Sequence, residues 1–186
     1  MLSTTDAIVL SLQPHSDKAH VLHAYTRTGG RVNYKVYGLG RKNSAEKFSP
    51  LSVIQLTTDE RSVRNAHLRF VPKTTSLDPY KRTIALFLGE VLYHVLRHPM
   101  PDEPMYIFLE QAVQTLDETK DPRNFHLQFL ISFAAKLGFA LDKEIDEPHT
   151  RSERQEILQT LCAYFAEHVE TWQNPRSLDV LMEVFD

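Results

Sequence analysis

The sequence predicts an α+β protein: a small β-barrel in residues 1–76 followed by an all-helical domain in residues 77–186. Two observations carry that division. The apolar residues recur with period two before residue 75 and at spacings of three and four after Pro79. The charge changes sign at nearly the same place. Residues 1–82 hold 13 Lys and Arg against six Asp and Glu, an excess of +7, whereas residues 83–186 hold eight against 18, a deficit of −10; together they make the −3 of the whole chain. A change of sign at one position implies two units with different partners. The basic unit suits a polyanion, because each phosphate held by Lys or Arg releases condensed counterions.

The strand patterns come in order. Ile8, Leu10 and Leu12 alternate with Val9, Ser11 and Gln13. Val21, His23 and Tyr25 alternate with Leu22 and Ala24, and Val32, Tyr34 and Val36 with Asn33, Lys35 and Tyr37. Leu51 to Thr57 is rich in β-branched residues, and His67 to Val71 alternates again. Pro14-His15-Ser16-Asp17, Gly29-Gly30 and the run from Gly38 to Pro50 break these patterns, and Gly29-Gly30 predicts a tight hairpin. Five short strands of this size predict a closed or partly open barrel of the OB-fold type, which handles exposed edges by near closure.

The helices follow. Asp78-Pro79 reads as an N-cap with proline in the first turn, opening a stripe of Ile84, Phe87, Leu88, Val91, Leu92 and Val95. A second helix starts at Glu103-Pro104 and a third follows Asp121-Pro122, stopping at Gly138. A polar loop from Asp142 to Thr150 leads to a fourth helix from Ser152 to Val169 and a short fifth over Leu178 to Phe185. The aromatic residues here fall at helical spacing and read as bundle core.

Composition narrows the function. With 42% hydrophobic residues and 24% charged ones, the chain supports real cores. It has no apolar run long enough to span a bilayer and no signal-like N-terminus, which predicts a cytoplasmic protein. The single cysteine, Cys162, lies in the apolar pattern of the fourth helix. It makes no internal disulfide and excludes multi-cysteine zinc sites. His94 and His98 are four apart, but no HExxH motif accompanies them. Gly38-Leu39-Gly40 lacks the spacing of either phosphate-binding glycine loop. No serine has a nucleophile-elbow setting. The reading is of a non-enzyme without a metal or other cofactor.

The candidate chemistry is a basic track. Arg27, Arg31, Lys35, Arg41, Lys42 and Lys47 crowd around two glycine-flanked turns, with Tyr37 on the strand between them. On a strand, Asn33, Lys35 and Tyr37 share one face, and Val32, Tyr34 and Val36 the other. Rings beside cations suit single strands, because bases stack on rings while phosphates follow the charge. On the residues alone two readings stand: a barrel that binds nucleic acid, and an adaptor barrel that binds only proteins.

Several of these residues resemble a known family. Ile8-Val9-Leu10, Asp17, Thr26 with Gly30-Arg31-Val32, the Gly38-to-Lys42 turn and Pro50-Leu51 are similar to the N-terminal OB domain of the bacterial recombination mediator RecO. Ala85 to Tyr93, Glu103-Pro104-Met105-Tyr106, Phe125-His126-Leu127, Leu137-Gly138-Phe139 and Ser177 to Leu181 resemble its helical domain. The resemblance implies a nucleoid-associated DNA repair and recombination factor that binds single- and double-stranded DNA, anneals strands and helps to load RecA. Its implied partners are RecR and the acidic C-terminal tail of single-stranded DNA-binding protein. That tail needs a local basic spot, for which Arg97, Arg123 and Lys136 are the weak candidates. Many members carry a four-cysteine zinc module that this chain cannot form. The segment usual after Phe139 is also reduced here to Asp142–Thr150.

Overall fold

A computed structural model of the protein describes residues 1–39, 46–142 and 145–184. Five strands form a closed barrel: β1 (Leu2–Ser16), β2 (Ala19–Thr26), β3 (Gly30–Tyr37), β4 (Val53–Asp59) and β5 (Ser62–Leu68), in the order β1-β2-β3-β5-β4. Among the described residues five helices follow: α1 (Pro79–Val95), α2 (Glu103–Glu118), α3 (Phe125–Lys136), α4 (Arg151–His168) and α5 (Leu178–Val184). This is the OB-type barrel followed by helices that the periodicity predicts. The chain forms two compact units. One comprises Met1–Lys73 with Leu96–Gln114, and the other Thr74–Val95 with Thr115–Asp186.

Barrel closure rests on β1. Its first half, Leu2 to Ile8, pairs antiparallel with β4, and its second half, from Ala7 on, pairs with β2. A strand serving two neighbours must bend, and the register breaks between Val9 and Ser11 and again between Pro14 and Ser16 supply the bend. The sequence pattern marks only Ile8–Gln13, because Ser3-Thr4-Thr5 is β-prone but has no apolar alternation. The fifth strand also differs from expectation: it is Ser62–Leu68 rather than His67–Val71. Only Ala66 is fully buried on it, so its period-two signal is faint. The barrel core holds Val9, Leu22, Ala24, Tyr34, Val36, Ile54 and Leu56, and Phe48 of a 3-10 turn (Glu46–Phe48) joins it. Both faces of Ala7–Leu10 are buried. The second face needs a cover of its own, and the buried Met105, Tyr106 and Leu109 of α2 belong to the same compact unit.

In the helical unit, polar residues set the ends. Asp78 accepts from the backbone N–H of Tyr80 at 2.8 Å and of Lys81 at 3.3 Å, which caps α1. Thr150 and Glu153 form a reciprocal capping box at α4. Asp117 is buried and accepts from the N–H groups of Thr74 and Thr75, while Lys81 Nζ donates to the Asp117 carbonyl at 2.7 Å. Lys81 therefore counts toward the basic half of the sequence without presenting its charge to a ligand. The apolar core stacks Phe129 on Phe133 and Phe133 on Phe165, with ring centroids 5.5 and 6.0 Å apart. Cys162 is buried, and burial pushes its thiol up to about 11, which suits core packing rather than nucleophilic use.

His126 is buried edge-on to Phe87, and burial together with nearby Arg154 lowers its pKa from 6.5 to about 3. The neutral ring is thus favoured in the fold, and below pH 6.5 the unfolded chain binds a proton that the fold does not. Stability should fall by about 1.4 kcal/mol for each pH unit from 6.5 toward 3 on account of this group. Urea unfolding of the wild type and of His126→Gln across that range checks this. The variant should show a flatter pH dependence, and an unchanged slope would exclude His126 as the source.

Candidate nucleic-acid interface

In OB barrels the outer face of the second and third strands, with the loops joining strands 1–2 and 4–5, holds oligonucleotides. Register places this chain's residues on that face. On β3, Tyr34 and Val36 are buried, so Asn33, Lys35 and Tyr37 point outward and are exposed. Their β2 partners are His23, Val21 and Ala19 respectively. The first loop, Asp17-Lys18, runs directly into Ala19, opposite Tyr37. The second, Glu60-Arg61, is tied to the face by a 2.7 Å bond from the Lys35 N–H to the Arg61 carbonyl. Lys35 also forms the parallel bridge to Ser62 that closes β3 against β5.

Lys18, Lys35, Tyr37 and Arg61 therefore cluster at one end of the β2–β3 face. Tyr37 is 57% exposed, a ring open to stacking. Among the described residues the side chains of Lys18, Lys35 and Arg61 take part in no ion pair. Asp17 and Glu60 share the two turns, so the local excess of positive charge rests on Lys35. Sequence patterning passes over Lys18 and Arg61, since each stands beside an acid and neither lies in a glycine-flanked run. Only the register brings them to Lys35 and Tyr37.

The other sequence-predicted cations are placed differently. Arg27 follows β2 and donates through Nε and Nη2 to one oxygen of Glu103, at 2.9 and 2.8 Å; its guanidinium lies 5.5 Å from the Tyr106 ring centroid. Arg31 donates from its backbone to the His98 carbonyl at 3.0 Å and from Nη1 to the Leu96 carbonyl at 3.2 Å, and its Nη2 lies 3.2 Å from His23 Nδ1. Removing Arg31 would therefore remove structural bonds together with a charge. Lys47 Nζ donates to the Ala66 carbonyl on β5 at 3.1 Å and sits 5.6 Å from the Phe48 ring centroid. Arg41 and Lys42 lie outside the described residues. Lys35 and Tyr37 are thus brought together, while Arg31 stands at the opposite end of β3, about 13 Å from Lys35 at strand rise, and Arg27 lies in the turn that leads into that end.

That opposite end is closed by the chain itself. Gly30 opens β3 with φ +61°, and a Cβ there would stand 2.2 Å from the Met100 carbonyl oxygen and 2.7 Å from that of His98. Glycine is required at this position both by its left-handed backbone and by the close approach. Thr26 completes the turn, accepting from the Gly29 N–H and donating to the Gly30 carbonyl, each at 3.1 Å.

The weak candidates for peptide contact form no cluster within either unit. Arg97 belongs to the barrel unit. Arg123, in the helical unit, forks onto Asp121 just before α3, and Lys136 sits in the last turn of α3, at the far end of a helix about 18 Å long. A different basic spot lies in the helical unit: a small depression lined by Arg151, Arg154, Gln155, Leu158, Leu181 and Met182, with His126. Arg154 is buried, and its Nε has no hydrogen-bond partner among the described residues. Also among the described residues, no group of three His, Cys, Asp or Glu is placed to hold a metal ion, and no helix is long and apolar enough to cross a membrane.

Comparison with known proteins agrees with this architecture. Residues 76–144 match the family described as Recombination protein O C terminal. A DNA repair protein RecO from Phocaeicola vulgatus is 36% identical over 148 residues, covering 74% of this chain and 61% of that protein. The chain thus spans less than two thirds of that relative's length. The RecO proteins of Flavobacterium johnsoniae and Bacteroides fragilis are each 27% identical, and align over 97% and 100% of this chain and 98% and 100% of their own lengths. The second of these alignments runs over 245 positions, so it opens internal gaps in this 186-residue chain. With the closed barrel, the helical segment that follows it and these relatives, the chain belongs to the RecO family.

Proposed function

We propose that this protein is a recombination mediator in DNA repair: it binds single- and double-stranded DNA, anneals complementary strands and helps to load RecA onto DNA coated with single-stranded DNA-binding protein. It works by binding rather than by making or breaking bonds. The observation that carries the reading is the cluster of Lys18, Lys35, Arg61 and exposed Tyr37 on the barrel face that OB folds use for oligonucleotides, in a chain of the RecO family. Cations there meet phosphates without reading sequence, and the ring stacks on any base. Such binding tolerates every sequence, as an annealing factor needs. RecR and the acidic tail of single-stranded DNA-binding protein are the protein partners of this reading. The depression around Arg154 suits an acidic peptide, since a buried guanidinium gains a charge-assisted bond when a carboxylate arrives.

Fluorescence anisotropy with a dT oligomer across a salt series tests the barrel face. Lys35→Ala combined with Arg61→Ala should flatten the plot of log affinity against log salt by about 1.4, or about 0.7 for each lost phosphate contact. Tyr37→Ala should weaken binding by about 1–3 kcal/mol while leaving the slope unchanged. Wild-type affinity and slope in all variants would remove the face as the interface, and absence of binding at low salt would favour the adaptor reading. In a parallel titration, Arg154→Ala should weaken an acidic tail peptide severalfold; equal affinity would place the peptide elsewhere.

A further inference from the structure

The end of the β2–β3 face that bears Arg27 and Arg31 is occupied by residues 96–103 of the same compact unit. Leu96 and His98 offer carbonyls to Arg31, the Met100 carbonyl packs against Gly30, and Glu103 places one carboxylate oxygen in the fork of the Arg27 guanidinium. These contacts differ in kind. The bonds to Arg31 and the approach to Gly30 involve backbone and fix the segment in place. The Glu103 contact is a side-chain ion pair at the surface, with the Arg27 and Glu103 side chains 36% and 60% exposed. Such a pair contributes little net stability and exchanges easily. A carboxylate and a phosphate present the same feature to a guanidinium: anionic oxygens spaced for a fork of N–H donors. Arg27 has a second partner as well, since its guanidinium lies over the buried Tyr106 ring, 5.5 Å from the centroid.

We propose that Glu103 is an intramolecular stand-in for a backbone phosphate of single-stranded nucleic acid, holding Arg27 closed at one end of the track until an incoming strand displaces it. The inference rests on the barrel-face reading above and adds to it a competitor built into the chain. Glu103 lowers the affinity of the resting protein for a strand by neutralising one of its phosphate-binding groups. A strand bound at the Lys35 end that extends along β3 reaches Arg27 only by displacing the carboxylate. Glu103 therefore acts as a gating residue, and Arg27 contributes little to strand affinity while the carboxylate holds it.

A double-mutant cycle on the full chain tests this, using a dT oligomer long enough to cover β3 and a salt series from 50 to 200 mM. Glu103→Gln keeps the shape of the side chain and removes its charge. It should bind more tightly than wild type and steepen the salt slope by about 0.7, the value for one added phosphate contact, so that its advantage shrinks about 2.6-fold between the two salt concentrations. Arg27→Ala alone should bind no more tightly than wild type and show no steeper salt slope. Arg27→Ala with Glu103→Gln should match Arg27→Ala. Thermal melts confirm that each variant is folded. If Glu103→Gln leaves affinity and slope unchanged, the gate is overturned. If its gain persists in the Arg27→Ala background, the effect is general charge reduction and the gate is again overturned. Either result leaves the barrel-face reading intact as long as wild type binds with a salt-dependent affinity. A wild type that does not bind overturns that reading and the gate with it.

Discussion

The double pairing of β1 is the constraint on which the rest depends. One fifteen-residue strand bonds to β4 through its first half and to β2 through its second, and the bend between the halves closes the barrel. Closure decides which way every residue of β2 and β3 points, because strand side chains alternate and a slip of one residue would exchange the faces. Lys35 and Tyr37 face outward because Tyr34 and Val36 fill the core. The β1–β2 and β4–β5 turns meet them because β3 closes against β5 at Lys35 and Ser62. The proposed interface therefore follows from the register more than from any single residue.

Charge needs to be read after packing. The +7 excess of the first 82 residues suggests a broad basic surface, but the described residues divide it. Lys81 is buried against Asp117. Arg27, Arg64 and Arg69 are paired with Glu103, Asp59 and Asp6, and Lys47 donates to a strand carbonyl. What the β2–β3 face presents is local: Lys18, Lys35 and Arg61 around one exposed ring. Phosphate contacts act over short range at physiological salt, so placement matters more than the total.

Much of the fold was legible because its signals are strong and local. Asp78-Pro79, the Glu103 start and the stripe from Ile84 to Val95 mark helices whose observed ends lie within a few residues of expectation. The alternation of Val32, Tyr34 and Val36 with Asn33, Lys35 and Tyr37 reads correctly as one inward and one outward face. Two features were not legible, for physical reasons. The polar start of β1 and nearly all of β5 carry little apolar alternation, since one is threonine-rich and the other buries only Ala66 completely. The placement of Lys18 and Arg61 beside Lys35 and Tyr37, and the commitment of Arg27 and Arg31 to residues 96–103, depend on contacts across long sequence separations. The glycine pair predicts the hairpin, but not that Gly30 must also clear the Met100 carbonyl.

The central claim is that the outer face of β2 and β3, with the two turns beside Tyr37 and Lys35, is where nucleic acid sits. Amide chemical-shift mapping of the isotope-labelled protein during titration with a dT oligomer tests it most directly. The account predicts that the largest perturbations fall on Lys18, Val21, Lys35, Tyr37 and Arg61. Perturbations confined to α3 and α4, with this face unchanged at saturation, would contradict it.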